Sequence, residues 1–138
     1  MLTVPQIHIG FTGTRKGMTD SQKTELVLLL EAYSESDQLT VFHHGDCIGA
    51  DRQARNIAFD MGCVIVSHQP INPKYRANTI AHMYMPPLEY YDRNHNIVKY
   101  TNFLVAAPHE KQETRRSGTW MTVRYARLLE RNIDMLLP

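Results

Sequence analysis

The sequence predicts an α/β fold: one doubly wound parallel sheet with helices on both faces, occupying residues 1–138 as a single domain. Three observations carry this expectation. Short apolar, β-rich runs alternate along the chain with segments of helical period, which implies parallel strands joined by right-handed crossovers. A length of 138 residues leaves room for one core. Hydrophobic residues at 43% and charged residues at 21% match ordinary globular usage.

The first run, Gln6 to Thr12, reads as a strand. Thr19 to Tyr33 follows as a helix, opened by Thr-Asp-Ser capping chemistry and carrying Leu26, Leu29, Leu30 and Tyr33 on one stripe. Leu39 to His44 is the second strand. Ala50, Ala54, Ile57, Ala58 and Met61 then follow an i, i+4, i+7, i+8, i+11 pattern, the apolar face of a second helix. Cys63 to His68 is the third strand. Gln69 to Pro86 has no clear period and is expected to be a long loop, in which Tyr75, Arg76, His82 and Tyr84 suit a cover over a ligand or a partner surface equally. Behind Pro86-Pro87, Leu88, Tyr91, His95 and Val98 predict a third helix. Asn102 to Ala107 is the fourth strand. Thr119, Val123, Ala126 and Leu129 mark a last helix from about Gly118 to Arg131, and Ile133 to Leu137 closes the order as a fifth strand. Ligands are expected outside the carboxyl ends of the strands, where the strand order reverses; if that order is 3-2-1-4-5, the loop before the last helix faces the turn at Gly13 across the switch point.

Composition narrows the function classes. With 15 Lys+Arg against 14 Asp+Glu, the net charge of +1 produces no field that gathers polyanions over the whole surface, so an anion site must be local. No apolar run approaches the ~20 residues of a membrane span, and no secretion signal opens the chain. Cys47 and Cys63 form neither a disulfide framework nor a zinc-finger spacing, so a reducing cytoplasm is the expected location. His43 and His44, adjacent on a strand, point to opposite faces; no metal and no cofactor are expected.

Chemistry concentrates at the strand ends. Gly10-Phe11-Thr12-Gly13-Thr14-Arg15 forms a glycine turn whose amides suit phosphate, with Arg15 and Lys16 adding charge; the plainer reading is a tight turn. His43-His44-Gly45-Asp46-Cys47-Ile48-Gly49-Ala50-Asp51 sets a carboxylate between Gly45 and Gly49 as a helix begins. That suits a sugar phosphate, with Asp46 on ribose hydroxyls and as the candidate catalytic group if there is one. Asp51, in the first helical turn, either meets the ligand or only complements the helix dipole. Arg93 and Asn94 sit beside the stripe of the third helix, within reach of the same edge. Arg116-Ser117-Gly118-Thr119 opens the last helix with small residues whose amides hold phosphate while Arg116 closes over it; a simple N-cap is the alternative. Gly13, Thr14, Gly118 and Thr119 are thus expected to cradle one phosphate, neutralised by Arg15 and Arg116.

Taken together, Gly10 to Arg15, Gly45 to Asp51, Arg93-Asn94 and Ser117 to Thr122 resemble the SLOG superfamily. This Rossmann-like group joins the DNA-processing Smf/DprA proteins, the "lonely guy" phosphoribohydrolases and the YpsA/YspA-type proteins, the last being the most similar. The resemblance covers nearly the whole chain. It implies a Rossmann-like sheet, a pocket for a nucleotide or nucleotide-derived ligand, and association as a dimer or higher oligomer. The phosphoribohydrolase branch resembles P-G-G-x-G-T-x-x-E, whose glutamate assists cleavage of the base–ribose bond. Thr122 stands at that position here and supplies no carboxylate, unless Asp46, Asp51 or Asp92 substitutes. The DNA-processing branch implies single-stranded DNA binding, for which Arg15, Lys16, Lys111, Arg115 and Arg116 with Trp120 are the available charges and stacking ring. Ligand binding is the leading reading, with phosphoribohydrolase activity and DNA binding as alternatives.

Overall fold

A computed structural model describes residues 4–35 and 37–138. Residues 1–3, the start of the expected domain, lie outside the described residues. In chain order the strands are β1 (Gln6–Gly13), β2 (Leu39–His44), β3 (Val64–Ser67), β4 (Met83–Tyr84), β5 (Phe103–Ala107) and β6 (Asn132–Met135). The α-helices are α1 (Asp20–Ser34), α2 (Ala50–Asp60), α3 (Tyr90–Lys99) and α4 (Gly118–Leu128). All five strand pairings are parallel, in the order β4-β3-β2-β1-β5-β6.

The order meets the condition that sets the loop before α4 across from the turn after β1, and it is extended by one strand, β4. The segment 69–86 is not a plain loop: it holds a 3-10 turn at Pro73–Tyr75 and the two-residue β4, which pairs with β3 through Val66–Met83 and Ser67–Tyr84. A strand of two residues leaves no period to read.

Alternation along β5 shows the two layers. Val105 and Ala107 pack with Leu26, Leu30 and Ala54 of α1 and α2, while Leu104 and Ala106 pack with Ile97, Val98, Trp120 and Val123 of α3 and α4. Phe11 and Phe42, both fully buried, centre the first cluster. Each contributes roughly 1.5–3 kcal/mol by burial. At the start of α1, Thr19 Oγ1 accepts from Gln22 N–H at 3.1 Å while Gln22 Oε1 accepts from Thr19 N–H at 2.9 Å, a capping box. The Gln22 amide then donates to Pro108 and Leu136 carbonyls, both at 2.8 Å, and so ties α1 to the chain beyond β5 and β6.

The stripe expected on α3 is corrected. The helix starts at Tyr90, Leu88 lies before it in a bridge with Pro70, and Tyr91 is 61% exposed. The buried face runs through Arg93, Asn94, Ile97 and Val98. Two polar residues share the inward face because they reach the carboxyl edge of the sheet, where a hollow opens.

Candidate ligand site

That hollow, about 330 Å³, lies across the carboxyl ends of β1 and β5, the point where the strand order reverses. Its walls come from the end of β1 and its turn (Phe11 to Arg15), the start of α2 (Cys47, Asp51), one face of α3 (Tyr90, Arg93, Asn94, Ile97), Glu110, and the start of α4 (Arg116 to Thr119). The two segments expected to bracket one crevice, after β1 and before α4, therefore share a cavity.

Arg93 is its central charge. Only 4% exposed, it donates from Nε to Asn94 Oδ1 at 2.8 Å, and its Nη1 donates to the carbonyls of Gly45 and His68. Both terminal nitrogens lie 3.6 Å from Cys47 Sγ, and the guanidinium faces the Tyr90 ring at 5.4 Å. Among the described residues no carboxylate closes an ion pair with Arg93; the salt bridges present join Glu113 to Arg124 and Arg127. A buried cation with no direct ion pair is costly, and an anion arriving in the hollow relieves that cost. Arg15 at the rim faces Tyr75 at 5.0 Å and Tyr90 at 6.0 Å, and Arg116 stands exposed at the opposite lip.

Backbone donors complete the cationic side. Ser117 caps α4, its Oγ accepting from Trp120 N–H at 3.2 Å and its carbonyl from Met121 N–H at 3.0 Å. The amides of Gly118 and Thr119 are left without partners among the described residues, at the positive end of the helix. Thr14 differs: its N–H donates to the Ala107 carbonyl at 3.1 Å, so its amide is used within the fold. A Cβ at residue 118 would overlap the Tyr90 hydroxyl, so glycine there lets α3 and α4 approach at the mouth of the hollow.

Asp51 is the acid nearest Arg93. Burial pushes its carboxyl up to about 6, against the pull of Arg93 and of the Cys47 amide, which donates to Oδ2 at 3.2 Å. The Cys47 thiol is likewise pushed up by burial first and Asp51 second, which keeps it protonated.

Asp46 requires correction. It is fully buried, adopts a positive φ of 52°, and turns its carboxylate away from the hollow into the segment 69–86. There Oδ1 accepts from Thr79 N–H at 3.0 Å and Thr79 Oγ1 at 2.6 Å, and Oδ2 accepts from Gln69 Nε2 at 3.0 Å and Asn78 N–H at 3.2 Å. Four donors occupy it, leaving no lone pair directed at a sugar. The segment it holds is also fixed by Arg55 on the Ile80 carbonyl and Arg76 on the Pro70 carbonyl, both 2.9 Å.

Four more of the sixteen expected ligand residues stand outside the hollow. Gly10 packs against Thr101 and Ile97; Gly45 lies beneath Arg93 and Asp51; Gly49, at φ +85°, lies against the Arg15 carbonyl; and Thr122 donates its hydroxyl to the Gly118 carbonyl at 2.9 Å. Thr12, Gly13, Thr14, Arg15, Asp51, Arg93, Asn94, Arg116, Ser117, Gly118 and Thr119 line it. Trp120 is 4% exposed and packed with Ile97 and Leu104, which removes it as a stacking surface. Sequence reasoning missed Phe11, Cys47, Tyr90, Ile97 and Glu110 as lining residues. Tyr90 and Ile97 were within reach, since Tyr90, Arg93, Asn94 and Ile97 stand at i, i+3, i+4 and i+7 of one helix.

Likeness to solved structures places this architecture. No protein-family model matches the chain, and no curated protein matches it in sequence. Among solved structures, the molybdenum cofactor binding protein of the phototrophic bacterium Rippkaea orientalis superposes with a TM-score of 0.74 at 17% identity, over 99% of this chain and 79% of that one. The molybdenum cofactor carrier protein of Chlamydomonas reinhardtii gives 0.68 at 18%, over 96% and 78%. DNA processing protein A of Streptococcus pneumoniae gives 0.64 at 16%, over 96% of this chain and 50% of that one. The chain shares its parallel, Rossmann-like α/β fold with these proteins. At these identities the likeness is one of architecture, and it extends to cofactor-binding and DNA-processing proteins alike.

A second cavity, about 380 Å³, lies over the half-sheet that α3 and α4 leave uncovered, lined by Leu39, Val41, Val64, Val66, Met83 and Met85 with His8 and His43. A file of histidines crosses it: His8 Nδ1 to His43 Nε2, and His43 Nδ1 to His68 Nε2, both 2.8 Å.

Proposed function

We propose that the hollow binds the phosphate end of a nucleotide or nucleotide-derived small molecule. The observation that carries this reading is Arg93, a buried guanidinium with no ion pair among the described residues, facing the same cavity as the free amides of Gly118 and Thr119. A cavity of about 330 Å³ is of small-molecule size. Arg15 and Arg116 add charge at the rim, and Tyr90 offers a ring beside it. The molybdenum cofactor proteins of the same fold support a nucleotide-derived guest. Calorimetric titration with nucleoside monophosphates tests the reading: Arg93→Gln is expected to weaken binding by about tenfold to hundredfold, the worth of a charge-assisted bond. Unaltered affinity would refute it.

Cleavage of an N-glycosidic bond is the second reading, favoured by Asp51, a buried carboxyl in the hollow held at about 6, where it exchanges protons near neutrality. Release of free base that disappears in Asp51→Asn would support it; the absence of release would remove it. Single-stranded DNA is the weaker fit, since Trp120 is in the core and the cations surround a compact hollow. Self-association we assign to the outer side of the uncovered half-sheet at Met83, which is exposed.

A further inference from the structure

Arg93 brings charge to the hollow but keeps few hydrogens for a guest. Its Nε–H is spent on Asn94 Oδ1, its Nη1 hydrogens on the carbonyls of Gly45 and His68, and an Nη2 hydrogen on Cys47 Sγ. At most one of the five N–H groups of a guanidinium is left over. Asn94, next along α3, has the opposite surplus. It is only 5% exposed and lines the same cavity. Arg93 Nε can only donate, so the branch of the Asn94 amide that meets it must be the oxygen, and the orientation of the carboxamide is thereby fixed. The other branch, Nδ2, has two hydrogens and no partner for either among the described residues. Nor is it shut in. Among the described residues the water-shielded side-chain atoms without partners are His44 Nε2, Ser67 Oγ, Glu110 Oε1 and Trp120 Nε1; Asn94 Nδ2 stays accessible, and the hollow is what its residue lines. Two unmade donor bonds on a side chain buried this deeply call for an acceptor in the hollow.

We infer that Asn94 is a specificity-determining residue that donates through Nδ2 to the phosphate oxygens of the bound ligand. This rests on the phosphate-binding reading above and gives that phosphate its side-chain hydrogen-bond donor. Two kinds of acceptor suit such an N–H, an oxyanion and the polar edge of a base, and the surroundings favour the oxyanion. A guanidinium bound to Oδ1 draws electron density out of the amide and strengthens its N–H groups as donors. The same positive charge attracts an anion and gains little from a neutral base. The ring surface suited to a base lies instead at the rim, where Arg15 faces Tyr75 and Tyr90. Neighbours on one helix thus divide the work: Arg93, tied to the backbone at Gly45 and His68, holds the charge, and Asn94 delivers the hydrogens.

The test follows the side-chain amide resonances of Asn94 by nitrogen-15 NMR, identified by their loss in Asn94→Asp, during titration with inorganic phosphate, adenosine 5′-monophosphate and adenosine. Phosphate and the nucleotide should move the Asn94 N–H signals downfield, and adenosine should leave them in place. Asn94→Asp keeps the acceptor for Arg93 Nε, removes both donors and adds a negative charge, so it should weaken phosphate and nucleotide binding by about tenfold or more. Binding of phosphate that leaves the Asn94 signals unmoved, signals that answer to adenosine but not to phosphate, or unaltered affinity in Asn94→Asp overturns the inference and leaves phosphate binding standing. If neither phosphate nor the nucleotide binds, both readings fall. The wild-type spectra do not depend on the variant, and a thermal melt shows whether Asn94→Asp folds.

Discussion

Lowering the pH from about 7.5 to about 5.5 should cost the protein about 3 kcal/mol of folding free energy. Three buried histidines set the sign. Burial first, then His68 and His8, pushes His43 down to about 3; burial, then His44 and Arg93, pushes His68 to about 3. Burial pushes His44 to about 4, against the pull of Asp46. Each is depressed below its ordinary 6.5, so the folded chain binds fewer protons than the unfolded one. The stability they contribute is whole above about pH 6.5 and is lost as pH falls toward 3–4. At about pH 5.5 the three together have lost roughly 4 kcal/mol. Asp51 acts oppositely: raised from 3.8 to about 6, it destabilises the fold when ionised and returns about 1 kcal/mol over the same interval. The net loss is a sizeable share of the ~5–15 kcal/mol that holds a domain together. Urea unfolding at fixed ionic strength across this range measures it, and His43→Asn should remove about a third of the slope. An unfolding midpoint that stays level, or rises, as the solution is acidified would refute the reasoning.

Asp46→Asn should destabilise the fold by about 2–4 kcal/mol, since the amide accepts fewer of the four bonds and with less charge. Limited proteolysis should then cut first within 69–86, while nucleotide affinity, measured where the variant is folded, stays within about threefold. Gly118→Val should abolish ligand-induced thermal stabilisation by driving Tyr90 into the mouth of the hollow while leaving the ligand-free melting temperature within a few degrees; equal loss of both would make the glycine purely structural. Met83→Glu, at a position 56% exposed on the uncovered half-sheet, should shift sedimentation toward monomer with little change in melting; an unaltered sedimentation profile would place association elsewhere.

The sequence of elements and the two faces were legible because buried parallel strands and amphipathic helices write their periods into the chain. β4 was not, since two residues have no period. Asp46 and Asp51 frame the same glycine-rich turn, and which enters the hollow depends on one backbone rotation at Asp46, a positive φ that asparagine and aspartate tolerate and sequence spacing does not record. On α3 two stripes competed, one through Leu88 and Tyr91, one through Tyr90 and Arg93. Hydrophobicity favoured the first, and the need to face a polar cavity selected the second. Glu110 sits in a stretch with neither period nor motif, so only the shape of the hollow reveals it.

The histidine file has a direction. Gln6 Oε1, 3.1 Å from His8 Nε2, is an acceptor, so the His8 proton resides on Nε2 and Nδ1 receives one from His43 Nε2. His43 Nδ1 must then receive from His68 Nε2, and all three tautomers follow from the orientation of one side-chain amide. Rotating the Gln6 carboxamide by half a turn would present N–H instead and reverse every bond in the row. A glutamine at the margin of the sheet thereby sets the polarity of a hydrogen-bonded wire reaching from the first strand to the end of the third.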